Sequence, residues 1–218
     1  MPDAPQQVWH PRHNPWLITL TVMMAVFMEV LDTSIANIAL PHIGGSLSAT
    51  PEEATWVLTS YLVANAIVLP MTGWLGNYFG RKRVLLCCIF LFTFASMLCG
   101  LAWSLPTLVL ARIFQGVGGG AMVPIAQSIM LESFPAQKRG AAMAAFAQGV
   151  VVAPILGPVI GGWITDSYSW RWIFYINLPV GILALLMAKW VVEDPPYIKR
   201  NVSATIDYVG FGLLAVWL

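Results

Sequence analysis

The sequence predicts an all-α integral membrane protein, a bundle of six spanning helices, and three observations carry that prediction. Hydrophobic residues make up 58% of the 218 and charged residues 10%, with a mean hydropathy of +0.75, whereas a soluble domain carries about 25% charged residues. Six apolar segments, at roughly 16 to 40, 55 to 76, 84 to 104, 107 to 131, 140 to 165 and 172 to 192, are each long enough for a helix to cross the hydrocarbon core. The basic residues, finally, collect on one side of those segments.

Taken in order, residues 1–15 hold four prolines, one acid and one arginine, which is neither a signal-peptide n-region nor a domain, and they read as a cytoplasmic tail. The six segments of 16–192 follow, joined by short loops. Arg12, Arg81, Lys82, Arg83, Lys138, Arg139, Lys189, Lys199 and Arg200, nine of the 11 basic residues, fall on one side. Arg171 lies opposite with Glu52, Glu53 and Asp166, and Arg112 lies inside a segment. The positive-inside rule therefore puts the N-terminus and the loop 193–205 in the cytoplasm. Ser48, Thr50 and Pro51, with Glu52 and Glu53 after them, read as the capped start of the second helix, with Trp56 and Tyr61 as outer interfacial anchors. Asn201-Val202-Ser203 fits a glycosylation triplet but falls on the cytoplasmic side and is discounted. The last run, 206–218, is shorter than the roughly 20 residues a span needs, so the chain is expected to be the N-terminal part of a longer protein, ending at the start of a seventh helix.

Composition also excludes function classes. A net charge of +1 without a basic stripe gives no sign of nucleic-acid binding. Cys87, Cys88 and Cys99 share one apolar run and read as buried thiols rather than a disulfide or metal site. No histidine cluster, nucleophile with a base, or phosphate loop points to an enzyme, and no cofactor or metal is expected.

Three stretches carry residues that are costly in a membrane. Glu29 and Asp32 lie three apart on one face of the first helix, with Thr33 and Ala36 alongside. Each charge at the bilayer centre costs about 2.5 to 3.5 kcal/mol, and two adjacent acids repel, so at least one is expected to carry a proton part of the time. An acid that takes up and releases a proton in each cycle is a coupling group. The plainer readings, Glu29 beside a water-filled vestibule or Asp32 in a static salt bridge, stay open. Arg112, Gln115, Gly116 and Gly119 recur at i, i+3, i+4 and i+7, placing a permanent cation, an amide and two bare backbone patches on one inward face. Asp32 is the expected partner of Arg112; a structural pair or a snorkelling arginine is the alternative. The turn Gly73 to Leu86 joins Gly73, Gly76 and Gly80, which allow close packing, to Arg81, Lys82 and Arg83 at the interface.

The fifth segment contains Gly149 to Gly162. Gly149, Ala153, Gly157 and Gly161 recur every fourth residue and form a nearly bare stripe for helix contact, flanked by Pro154 and Pro158, with Gly162 beside it. Each proline removes a backbone hydrogen bond, which neighbouring helices or water can replace. No side chain in the stripe holds a proton, so the stretch reads as a bending contact.

In this order the stretches resemble the major facilitator superfamily, and within it the fourteen-helix drug:proton antiporters of the EmrB and QacA type. Leu31 to Pro41 resembles that family's first-helix signature, Gly73 to Lys82 its loop signature G-x-L-x-D-x-x-G-R-K, and Arg112 to Gly116 its fourth-helix R-x-x-Q-G. Gly157, Pro158, Gly161 and Gly162 resemble the core of its fifth-helix antiporter signature, and Trp170 to Gly181 its entry to helix six. One departure stands out: the loop signature's acid, implied to join a charge network gating the cytoplasmic side, is Asn77 here.

The resemblance implies an N-terminal six-helix bundle of two inverted three-helix repeats, followed by a linker helix, in a bacterial inner membrane. It implies secondary multidrug efflux, with amphipathic drug-like molecules leaving in exchange for protons, and a periplasmic adaptor and outer-membrane channel as partners. Asp32 is then the expected proton site, Arg112 its counterweight and Glu29 a pathway residue. Asn37, Gln115 and Gln148 are assigned to the substrate pathway, and Gly73, Asn77, Gly80, Arg81, Gly149, Pro154, Gly157, Pro158, Gly161 and Gly162 to gating and helix packing. A proton-coupled nutrient symporter and a non-transporting membrane fragment are the rival readings.

Overall fold

In the computed structural model, which describes residues 11–195, six membrane-length helices run back and forth: α1 Pro15–Ser46, α2 Pro51–Phe79, α3 Arg81–Leu101, α4 Leu105–Ser133, α5 Ala136–Ser167 and α6 Trp172–Val191. Side-chain caps mark the starts of α1, α2 and α4. Asn14 caps α1, its Oδ1 accepting from Trp16 N at 2.9 Å, with Pro15 at the first helical position. Thr50 and Glu53 form a reciprocal capping box at α2, and Ser104 and Thr107 do the same at α4. The Thr50 cap starts α2 at Pro51, with Glu52 and Glu53 in its first turn as the capping residues predict, ahead of the apolar segment that begins near 55. Pro41 does not end α1, which runs on to Ser46 rather than stopping near 40. The triplet 201–203, the rest of the 193–205 loop beyond Asp194 and Pro195, and the expected seventh helix lie outside the described residues, as do residues 1–10 of the tail.

Helix α1 is the axis. It packs along α5, against α6 and against the second half of α4, while the first half of α4 is wedged between α2 and α3. That wedge depends on missing side chains: a Cβ on Gly118 would come within 2.6 Å of Phe92 N on α3, and one on Gly120 within 2.6 Å of Asn65 O on α2. The α1–α5 seam uses the predicted stripe. Gly149 faces Met23, Gly157 faces Ser34 and Gly161 faces Ile35, with Ala153 buried between them. Both prolines sit inside an unbroken α5. Pro158 has no N–H to give the carbonyl of Pro154 one turn back, and the Ser34 hydroxyl of α1 donates to that carbonyl instead at 3.3 Å. Pro154 and Pro158 themselves point away from the seam, and Gly162 faces open space.

The core divides lengthwise into two clusters, one around Val22, Ile89, Met122 and Phe146, the other around Ile35, Val57, Leu108 and Phe174. Between them α1, α2, α4 and α6 bring together polar side chains.

Candidate functional site

Asp32 and Arg112 meet at this midpoint. The Arg112 Nη1 donates to Asp32 Oδ2 at 2.5 Å and to Gln115 Oε1 at 2.7 Å, and its Nε donates to the Val57 carbonyl at 3.0 Å. The other carboxylate oxygen, Oδ1, accepts from Gln115 Nε2 at 3.0 Å and from Asn177 Nδ2 at 2.6 Å. Asn177 also donates to Ser96 Oγ, which in turn donates to the Phe174 carbonyl at 2.9 Å. The guanidinium lies 4.3 Å from the Tyr61 ring centroid and 5.7 Å from that of Phe174, so its unbonded Nη2 faces aromatic surface. Four helices thus fix one carboxylate with three donors, one of them a cation that keeps its charge.

Glu29, one turn earlier on α1, is buried in separate company. Its Oε1 accepts from Asn65 Nδ2 at 3.0 Å and from Tyr61 OH at 3.3 Å, and its Oε2 has no described partner. Gly119 lies bare against this group, since a Cβ there would fall 2.7 Å from Tyr61 OH and 3.1 Å from Glu29 Oε1. Two acids and one cation are therefore buried within one turn of each other, an uneven count that leaves Glu29 without a counter-charge among the described residues.

Tyr61 departs from expectation: it is not an interfacial anchor but is sealed between Glu29 and Arg112, whereas Trp56, at the end of the same helix, is exposed. The cysteines split as well. Cys87 is exposed and Cys88 buried, and buried Cys99 places its Sγ 3.4 Å from Gln115 Oε1, so it belongs to the network rather than to inert filler. Asn37 on α1 and Gln148 on α5 are exposed, without a hydrogen bond to a described group.

At the basic end of the bundle the turn after α2 is held by two acids from elsewhere in the chain, Glu132 and Asp194. Arg81 pairs with Glu132 of α4. Gly80 adopts a φ of +89°, open to glycine but strained for other residues, and this brings the chain against Asp194, whose Oδ1 accepts from Lys82 N at 2.8 Å. Asp194, just past α6, thereby caps the start of α3. Asn77 and Gly73 are exposed, and nothing would meet a Cβ on Gly73. Sequence reasoning missed Asn177, Ser96, Asn65, Glu132 and Asp194. Only Asn177 had a local signal, as a polar residue inside the apolar entry Ile176 to Pro179.

The family described as Major Facilitator Superfamily matches residues 22–214. Over 200 residues, 92% of its length, the chain is 46% identical to the multidrug export protein EmrB of Haemophilus influenzae. It is 41% identical over the same share to EmrB of Escherichia coli K12. With the fatty acid resistance protein FarB of Neisseria gonorrhoeae the identity is 44% over 91% of the chain. The chain spans about 39% of the length of each of these relatives. Among solved structures, a D-xylose-proton symporter superposes with a TM-score of 0.71 at 20% identity, covering 91% of this chain and 53% of that one. A peptide transporter in complex with sulfate superposes with a TM-score of 0.75 at 18% identity, covering 99% and 49%. At such identities these two show the fold alone.

Proposed function

The chain belongs to the major facilitator superfamily, and on that premise we propose that it supplies one six-helix bundle, with a cytoplasmic N-terminus, of a bacterial inner-membrane exporter that moves amphipathic molecules outward in exchange for protons. Relatives named for multidrug export and for fatty acid resistance support an amphipathic substrate class. The observation that carries the coupling is the sealed Asp32–Arg112 pair with its Gln115 and Asn177 donors. Arg112, Gln115 and Asn177 donate to the two oxygens of Asp32 here; a proton on Asp32 would cancel the attraction to Arg112 and turn one acceptor into a donor. That exchange loosens α1 from α4 and α6 at one point. The α1–α5 seam, with Gly157 against Ser34, transmits the movement, and Glu29 lines the pathway beside it.

In this reading Asn37 and Gln148 present amides to a substrate, and the turn held by Arg81, Glu132 and Asp194 latches the cytoplasmic end in place of an acid at 77. A periplasmic adaptor and an outer-membrane channel complete the export route. The test is efflux of a fluorescent amphipathic cation from cells making the full-length exporter. Efflux is expected to stop on adding an uncoupler, and efflux that survives the uncoupler contradicts proton coupling.

A further inference from the structure

Away from the buried network, the basic end of the bundle holds a cavity of about 460 Å³ lined by Arg12, His13, Trp16, Phe134, Pro135 and Lys138 among others. We propose that this cavity binds the phosphate headgroup of an anionic membrane phospholipid. Its size falls in the range of small-molecule sites. Two permanent cations, Arg12 and Lys138, line it, no acid does, and neither forms an ion pair with a described carboxylate. Glu193 lies near but takes the backbone N–H of Arg12, at 3.4 Å, leaving the guanidinium fork for another acceptor. Arg139 adds a further positive charge beside the cavity, its Nε donating to the Phe134 carbonyl at 3.2 Å. The amino ends of α1 and α5 meet here too, each adding positive potential.

The occupant is a lipid rather than a soluble anion because the cavity continues into apolar surface. The Trp16 ring, half exposed, stands edge-on to Phe134 at 5.1 Å, Leu20 one turn further along α1 is exposed, and so is the adjacent Leu17. An indole at this level is an interfacial residue, and the leucines offer a track for an acyl chain. The inference rests on the bundle spanning a membrane and stands apart from the exporter reading.

Native mass spectrometry of the detergent-purified chain tests it, with phosphatidylglycerol, phosphatidylcholine of the same acyl chains, or inorganic phosphate added. The wild type is expected to retain one phosphatidylglycerol that phosphate does not displace, and to retain phosphatidylcholine far less. From the surface value of single cations, the double variant Arg12→Gln with Lys138→Gln should weaken retention by roughly 30-fold. Lys189→Gln, which also removes one charge but lies outside the cavity, should leave it unchanged. A matching melting temperature without lipid shows that the double variant is folded, and a variant that unfolds is replaced by Lys138→Gln alone, with a smaller expected loss. Equal retention in the variant, equal retention of phosphatidylcholine, or displacement by phosphate overturns the lipid site.

Discussion

Arg112 of α4 and Asp32 of α1, 80 residues apart in the chain, meet at 2.5 Å with side chains 0% and 1% exposed. Neither charge has another opposite charge within reach among the described residues, so each is tolerable in the bilayer because the other is there.

Breaking that pair on one side should therefore cost far more than replacing both. Arg112→Gln alone is expected to destabilise the bundle by about 3 to 5 kcal/mol, the cost of an unpaired buried charge. Adding Asp32→Asn should recover most of that loss. Melting temperatures of the three variants in detergent decide it: a double variant as unstable as the worse single one contradicts the pairing energetics.

Asn177 should behave as part of the same unit. Its amide bridges Asp32 at 2.6 Å and Ser96 at 2.9 Å. Asn177→Ala strips a donor from a buried carboxylate and is expected to cost about 1 to 3 kcal/mol. Asn177→Asp, which sets a second acid against Asp32, should cost more. Thermal unfolding of both variants checks the order.

How much of this was legible beforehand follows from the range over which each signal acts. The Arg112, Gln115, Gly116 and Gly119 face is a matter of helical spacing within eight residues, and the structure puts all four against α1 or α2 side chains or backbone. The pairing with Asp32 could be expected because each charge needs the other. Asn177 could not: its partners lie 145 and 81 residues away, and an asparagine near a helix entry also serves as a turn residue. Tyr61 was misread for a similar reason. A tyrosine one turn past Trp56 fits an interfacial belt equally well, and only the close approach of α4 at Gly116 buries it under Arg112. Asp194 was invisible because its role depends on the φ of Gly80, which folds the turn onto the end of α6. The six spans, by contrast, follow from hydropathy and length alone, the bilayer having set both.

The α1–α5 seam makes a steric prediction. A Cβ on Gly157 would overlap the Ser34 side chain, so Gly157→Ala should destabilise by about 1 to 3 kcal/mol and Ser34→Gly in the same chain should return part of it. Gly162→Ala, with nothing within 4 Å, should be neutral. Gly157→Leu in the full-length exporter is expected to abolish efflux. Normal drug-proton exchange by that variant removes the seam from the transport cycle.

Asp194 should act as the cap of α3. Asp194→Ala is expected to cost about 0.5 to 2 kcal/mol and Asp194→Asn, which keeps an acceptor, less. Unfolding of the two variants in detergent measures the difference, and equal losses would mean that the carboxylate acts through charge alone.

The central claim is that Asp32 carries the proton exchanged for substrate. In proteoliposomes holding the full-length exporter, a drug gradient should drive proton movement across the membrane, followed with a pH-sensitive dye. Asp32→Asn is predicted to abolish drug-driven proton movement while the folded protein remains in the membrane. Unchanged drug-proton exchange in Asp32→Asn would contradict the account.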